Sequence, residues 1–180
     1  MTESRCAGFN LFQLIVTLAV ASILMSLGIP QWGRLVENNL IAAERSQMSA
    51  ALQFARHTAV TERQTVALCP SVDSQACSGD YLAWHQGYVV IVDENGNKQR
   101  DTGERVLRRV PPARAGVKIQ SSTGRKALRY RMDGTAWGSN VTLRLCVEQH
   151  ASLNRAIIVH GSGRIRLSDT MSNGKPVTCE

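Results

Sequence analysis

The sequence lacks the residue groupings that most enzyme chemistry needs. It has no Cys-x-x-Cys pair, and His57, His85, His150 and His160 stand at no spacing that would let them share a metal. No Ser-His-Asp set, nucleophilic cysteine or acid–base carboxylate pair can be defended, so the chain reads as a non-enzyme with no cofactor and no metal. Gly161-Ser162-Gly163 is no dinucleotide loop, because no strand, glycine loop and helix follow one another there. Internal repeats and low-complexity linkers are also missing. Aromatic residues make up only 5% of the chain. Trp84, Trp137 and Tyr88 could stack on nucleobases, but such residues more commonly fill the core of a small domain.

A further absence is of charge. No Asp, Glu, Lys or Arg lies between Arg5 and Arg34. At about 1.5 Å per helical residue, Phe9 to Trp32 is long enough to cross a ~30 Å hydrocarbon core as one helix. Met1 to Gly8, carrying Glu3 and Arg5, precedes that run as a short leader ending in a small residue. An ordinary secretory signal places its cut after the apolar region. Here the candidate cut comes first, so cleavage after Gly8 would leave the apolar helix on the mature chain.

Gly8-Phe9, a polar Gln13 at the fifth place after the cut, and Pro30 within a long apolar helix together resemble the start of a type IV prepilin. More narrowly, they are similar to the minor pilins of the FimT and pseudopilin-H family. The resemblance implies a prepilin peptidase that cuts after Gly8 and methylates the new amino group of Phe9. It implies a single pass through the inner membrane of a Gram-negative bacterium with the head in the periplasm, then assembly with major and minor pilins into a type IV pilus at the cell surface. A plain N-terminal membrane anchor is the simpler reading of the same run. The family usually carries Glu where this chain has Gln13, and the resemblance implies that such a Glu pairs with a neighbour's amine in the filament core. A carboxylate in hydrocarbon is costly unless paired, whereas Gln offers only a neutral hydrogen bond. Gln13 fits either a special place near the filament tip or a low-abundance subunit that tolerates it.

The expected organisation is a leader at 1–8, a transmembrane and filament-core helix at 9–33, its amphipathic continuation at 34–63 and a globular head at 64–180. Leu35, Leu40, Ala43, Met48, Ala51, Leu52, Ala55 and Ala59 recur at three- and four-residue steps, with Glu44, Arg45, Gln53, Arg56 and Arg63 on the other face. Pro30 removes one helical hydrogen bond and can bend the helix. Beyond Gln64, strands are expected around 66–68, 88–92, 117–119, 128–131, 141–145, 156–159 and 165–167, separated by turn signals such as Asp93-Glu94-Asn95-Gly96 and Met132-Asp133-Gly134. Leu143-Arg144-Leu145 alternates in polarity, so one face of its sheet should be wet. A helix followed by consecutive strands predicts an α+β fold with mostly antiparallel pairing. The family's type IV pilin fold, a long helix against a β-rich head, agrees.

Cys6 belongs to the leader, which leaves Cys69, Cys77, Cys146 and Cys179 in the head with three possible connectivities. Cys69–Cys77 would close one short polar loop. Cys146–Cys179 would tie the tail to a strand, and this pairing looks like the tail staple of the family.

Charge points to a partner. The formal net charge is +7, yet residues 98–131 alone carry eleven basic side chains against Asp101 and Glu104, a net of +9. Such a block on an exported head suggests a polyanion, and Arg can grip phosphate through two parallel hydrogen bonds. Near the C-terminus stands Gly163-Arg164-Ile165-Arg166. Strand alternation puts Arg164 and Arg166 on one face roughly 6–7 Å apart, close to the spacing of successive phosphates along a DNA strand. Gly161 and Gly163 permit close backbone approach. The tetrad looks like the Gly-Arg-x-Arg motif of DNA-binding minor pilins of the FimT type, which the resemblance assigns to DNA capture in natural transformation. The expected contacts are Arg164, Arg166, Gly163, Arg125, Lys126 and Lys175, on double-stranded DNA and without base reading. The competing readings are a structural tip or priming pilin, and a type II secretion pseudopilin, neither of which binds DNA.

Overall fold

The computed structural model describes residues 10–180, and the side chains of 27–31 lie outside what it describes. The expected leader, with the Gly8 cleavage and Phe9 methylation positions, also falls outside the described residues. One α-helix, α1, runs Leu11–Thr61. The chain divides into two compact units, Met1–Val36 and Glu37–Glu180.

In the first unit, α1 starts in a reciprocal cap. Asn10 Oδ1 accepts the Phe12 N–H (3.4 Å), and Gln13 Oε1 accepts the Asn10 N–H (3.2 Å). This is the capping-box arrangement, with Gln at the third helical position. Thr17, Ser22 and Ser26 donate their hydroxyls to carbonyls three residues back, each at 2.8 Å, so these polar groups are satisfied within the helix. Leu11, Phe12, Ile15, Leu18, Ile23 and Leu24 are exposed. Among the described residues no helix is long and apolar enough to cross a membrane. The expected spanning segment 9–33 includes Phe9 and the side chains of 27–31, which lie outside them.

The second unit carries the whole buried core of the described residues, from Ile41 to Val177. Ile41, Met48, Ala51, Leu52, Ala55 and Ala59 form the buried stripe of α1. The three alanines carry no side chain beyond Cβ, which lets the helix backbone lie close against the strands it covers. The helix stops in a left-handed turn: Arg63 takes φ 50°, and the Gln64 N–H reaches the Ala59 carbonyl at 3.2 Å.

Eight strands follow: β1 (Val66–Pro70), β2 (Tyr88–Val92), β3 (Val106–Val110), β4 (Val117–Ser121), β5 (Leu128–Tyr130), β6 (Val141–Val147), β7 (Arg155–Val159) and β8 (Ile165–Ser168). They form two four-stranded sheets, β3-β2-β1-β5 and β4-β6-β7-β8, and every pairing is antiparallel. Leu68, Val90, Leu128 and Tyr130 of the first sheet and Ile119, Leu143, Leu145 and Ile157 of the second join the α1 stripe in one core, as does Trp84. The fold is α+β, as its element order predicts.

Two elements differ from the sequence expectation. Strand β3 has adjacent arginines that break its polarity alternation, so the sequence pattern does not reveal it. It lies at a sheet edge, where Arg108 passes 5.9 Å over the Phe54 ring and Arg109 Nε donates to the Ser74 carbonyl (3.1 Å). The face of β6 carrying Arg144 was expected to be wet, yet all seven β6 residues are buried. The C-terminal tail covers that face. Arg144 donates to the carbonyls of Thr178 (3.1 Å) and Ser121 (3.3 Å), and Gln120 and Glu180 exchange two hydrogen bonds at 2.8 and 3.1 Å. Cys146 is bonded to Cys179, fixing the tail there, and Cys69 is bonded to Cys77.

The β2–β3 loop closes on itself. Its Asp93, Asn95, Asn97, Asp101 and Glu104 follow the Asp-x-Asn-x-Asn-x-x-x-Asp-x-x-Glu spacing of calcium loops. Here Asp93 accepts the Lys98 N–H, Glu104 accepts those of Glu94 and Asp101, and both asparagine amides meet Asp101 Oδ2. Among the described residues no group of His, Cys, Asp and Glu could hold a metal ion.

Candidate nucleic-acid interface

Strands β7 and β8 are joined by a tight turn. The Gly163 N–H meets the His160 carbonyl (2.8 Å) and the His160 N–H meets the Arg164 carbonyl (2.9 Å). Arg164 therefore stands opposite His160, and Arg166 pairs with Ile158. Both arginines are exposed, on the sheet face that does not point into the core. Ile165 joins the core from the opposite side. The alternation that separates these side chains is the one legible in the sequence.

The glycines of this turn serve a close approach, but the partner is the protein's own backbone. Gly163 has φ 76°, and a Cβ there would overlap the Gly134 carbonyl oxygen. A Cβ on Gly161 would come within 2.7 Å of Trp137 Cε3. The 132–139 segment thus lies directly on the turn, joined to it by the Ala136 N–H on the Gly161 carbonyl (2.8 Å). Arg56 of α1 locks the pair, donating Nε to the Gly134 carbonyl (3.0 Å) and Nη2 to the Ser162 carbonyl (3.4 Å). Asp133 caps the same segment, and the hydroxyl and N–H of Thr135 hold its carboxyl below the usual carboxylate range.

Trp137 sits beside this turn and is 56% exposed, unlike Trp84 and Tyr88, which are buried in the core. Its ring approaches His160 edge-on, centroids 6.4 Å apart. The next residue, Gly138, presents its carbonyl to two cations: Arg125 Nη1 at 3.2 Å and Lys98 Nζ at 3.5 Å. Lys98, Arg125 and exposed Lys126 line a hollow of about 210 Å³. Burial first, then the guanidiniums of Arg129 and Arg125, hold the Lys98 ammonium below the usual lysine range, with Asp93 opposing. Lys98 also takes φ 64°, a left-handed conformation that lysine seldom adopts.

The +9 segment is therefore divided in space. Arg105 pairs with Glu62 (2.9 Å), Arg108 covers Phe54, and Arg100 and Arg109 reach the Cys69–Cys77 loop region through the carbonyls of Gln75 and Ser74. Arg129 donates to the Gly96 carbonyl. Lys98 and Arg125 meet at Gly138, with Lys126 lining the same hollow, and the neighbouring Trp137 lies on Gly161 of the turn that leads into Arg164. Lys175 is exposed in the tail beyond the other end of β8. Gln13 belongs to the first unit and its capping box. On sequence alone a core role is favoured for Trp137, Lys98 counts only within the basic segment and Arg56 has no part in this surface. Trp137-Gly138 beside the Asp133-Gly134 turn was the available signal, and nothing local announces that Arg56 meets Ser162. A larger hollow of about 500 Å³, between Val72, His85, Pro112 and Lys118, shares none of these residues.

Residues 44–163 match the family model of the type II transport protein GspH. No curated protein matches the chain. Among solved structures, the type IV minor pilin FimU of Pseudomonas aeruginosa superposes with a TM-score of 0.58 at 20% identity, covering 74% of this chain and 92% of that one. A second crystal form of FimU gives 0.51 at 18% identity, covering 68% and 88%. The minor pseudopilin EpsH from the type 2 secretion system of Vibrio cholerae gives 0.49 at 12% identity, covering 70% and 94%.

Proposed function

The chain belongs to the GspH family of minor pilins and pseudopilins, and from that premise we propose that it is a type IV pilus subunit that binds double-stranded DNA without reading its sequence. The observation that carries this reading is the turn at 160–163, which is packed on the 132–139 segment and leads into Arg164 and Arg166, both exposed, while Gly138 of the same segment holds Lys98 and Arg125. Arginines at this spacing suit bidentate contact with successive phosphates. Gly163 contributes by fixing the turn, and Lys175 extends the basic face along β8. The biological setting is DNA uptake in natural transformation. In this reading, prepilin peptidase cleaves after Gly8 and methylates Phe9, and 9–33 spans the inner membrane before entering the filament core. Gln13 is the polar position there, and other pilins are its partners.

Binding rests on charge, so it falls steeply with salt, with Kd of order 10⁻⁵ M near physiological ionic strength. Several subunits on one filament raise the effective affinity. The test is fluorescence anisotropy of the oxidised head, Glu37–Glu180, with labelled duplex over a salt series, beside the Arg164→Ala/Arg166→Ala double variant. Salt-sensitive binding that largely disappears in the double variant is expected. No binding by the folded wild-type head at low salt overturns the proposal. The match to a type II transport family favours a second reading, a structural pilin or secretion pseudopilin whose deletion abolishes filament assembly.

A further inference from the structure

We propose that Trp137 is a stacking platform for an unpaired nucleobase, so that the head prefers single-stranded or frayed DNA to continuous duplex; this rests on the DNA-binding reading above. An indole 56% exposed on a small domain is usually free to move, but this one is backed by glycine. Its six-membered ring lies against Gly161, where even a methyl group would come within 2.7 Å of Cε3 and 2.9 Å of Cζ3. His160 meets the ring at an interplanar angle of 64°, as an edge contact. The backbone beneath is held in turn by the Ala136–Gly161 hydrogen bond and by Arg56. The ring is thus fixed on one side and open to solvent elsewhere.

Charge decides what the open side takes. Lys98 and Arg125 converge on the carbonyl of Gly138, the residue next to Trp137, and the ring itself lies against Gly161 and His160 of the turn that leads into Arg164. A nucleotide stacked on Trp137 has phosphates on both sides of its base, and Lys98 and Arg125 stand on the residue next to the ring while Arg164 follows the turn on which the ring rests. An acidic or apolar protein surface would satisfy the cations or the ring, whereas a nucleotide satisfies both. Continuous duplex shows no free base face except at its ends, so it uses the arginines and leaves the indole idle. A single strand uses both. Base stacking on one aromatic side chain raises affinity roughly ten-fold or more, whatever the base.

The experiment uses the full-length chain in detergent micelles. Anisotropy is compared for a labelled single strand and for a duplex closed by hairpins at both ends, with equal phosphate numbers, against wild type, Trp137→Phe, Trp137→Ala and Arg164→Ala/Arg166→Ala. Wild type should bind the single strand about ten-fold more tightly than the closed duplex. Trp137→Ala should lose that preference and keep its duplex affinity, which also reports an intact arginine turn. Trp137→Phe should retain part of the preference. The arginine double variant should lose both ligands. Equal wild-type affinity for both ligands, or a preference that survives in Trp137→Ala, overturns the stacking role and leaves the duplex-binding function standing. Failure of wild type to bind either ligand overturns both. Loss of filament incorporation in Trp137→Ala with unchanged DNA preference would assign the indole to a neighbouring subunit instead.

Discussion

Replacing Gly163 with Ala separates the placement of the two arginines from their presence. At φ 76° an L side chain costs about 1–2 kcal/mol. The added Cβ would also overlap the Gly134 carbonyl oxygen, 3.0 Å from its carbon and 3.1 Å from Arg56 Nε. These are backbone and pinned atoms, so relieving the overlap costs a further ~1–3 kcal/mol. Reduced freedom of the unfolded chain returns about 0.5 kcal/mol. The net expectation is a loss of about 3 kcal/mol. Gly174→Ala supplies the control: its φ is 79°, and nothing lies within 4 Å of its Cβ position. That variant should lose only about 1 kcal/mol. Thermal unfolding of the oxidised head should therefore separate the two variants by roughly 4–8 °C. Duplex binding should weaken in Gly163→Ala although Arg164 and Arg166 remain, and stay at wild-type strength in Gly174→Ala. A Gly163→Ala head that melts with Gly174→Ala and binds DNA like wild type would refute the claim that close packing on Gly134 sets the arginine turn.

Lys98→Gly should stabilise the head by about 1 kcal/mol in urea unfolding, because it relieves a left-handed backbone and crowding by Arg129 and Arg125, while duplex affinity drops. The ammonium of Lys98 is held below its usual range, so it loses its proton earlier than an ordinary lysine as pH rises. Wild-type affinity should accordingly decline on the alkaline side, and Lys98→Gly should flatten that decline, both readable in a binding pH series. Opening the Cys146–Cys179 loop, with a sequence separation of 33, by the double serine variant should cost about 3–4 kcal/mol in the loop-entropy picture. Faster amide exchange should appear first at Glu180, whose N–H is held by Gln120 Oε1, and then in β4 and β6 around Gln120 and Arg144, which hold the Glu180 and Thr178 carbonyls; uniform exchange across the head would count against that placement.

The alternation of Ile165 and Leu167 with Arg164 and Arg166 made the exposed arginine pair legible before any fold was known, because a strand's side chains must point to opposite faces. The three- and four-residue recurrence from Met48 to Ala59 likewise announced a helix with one buried face. Both patterns are local, and backbone geometry converts each directly into direction. Arg144 obeys the same alternation and was misread, because its burial depends on a tail more than thirty residues away folding over it. Strand β3 escaped notice because an edge position tolerates two adjacent arginines that a central strand would not.

The basic segment shows the same division. Its composition is fixed by sequence, but hydrogen bonds sent Arg105 to Glu62 and Arg109 to Ser74 while bringing Lys98 and Arg125 to one carbonyl. Trp137 is exposed while Trp84 and Tyr88 are buried, and nothing in their composition distinguishes them. The sequence by itself determined the helix, most of the strands, the family and the arginine pair, because each follows from short-range periodicity or a contiguous motif. Tertiary structure alone decided which cations share a surface and that Gly161 backs an exposed indole, because those contacts join segments whose proximity is set by the packing of the whole head.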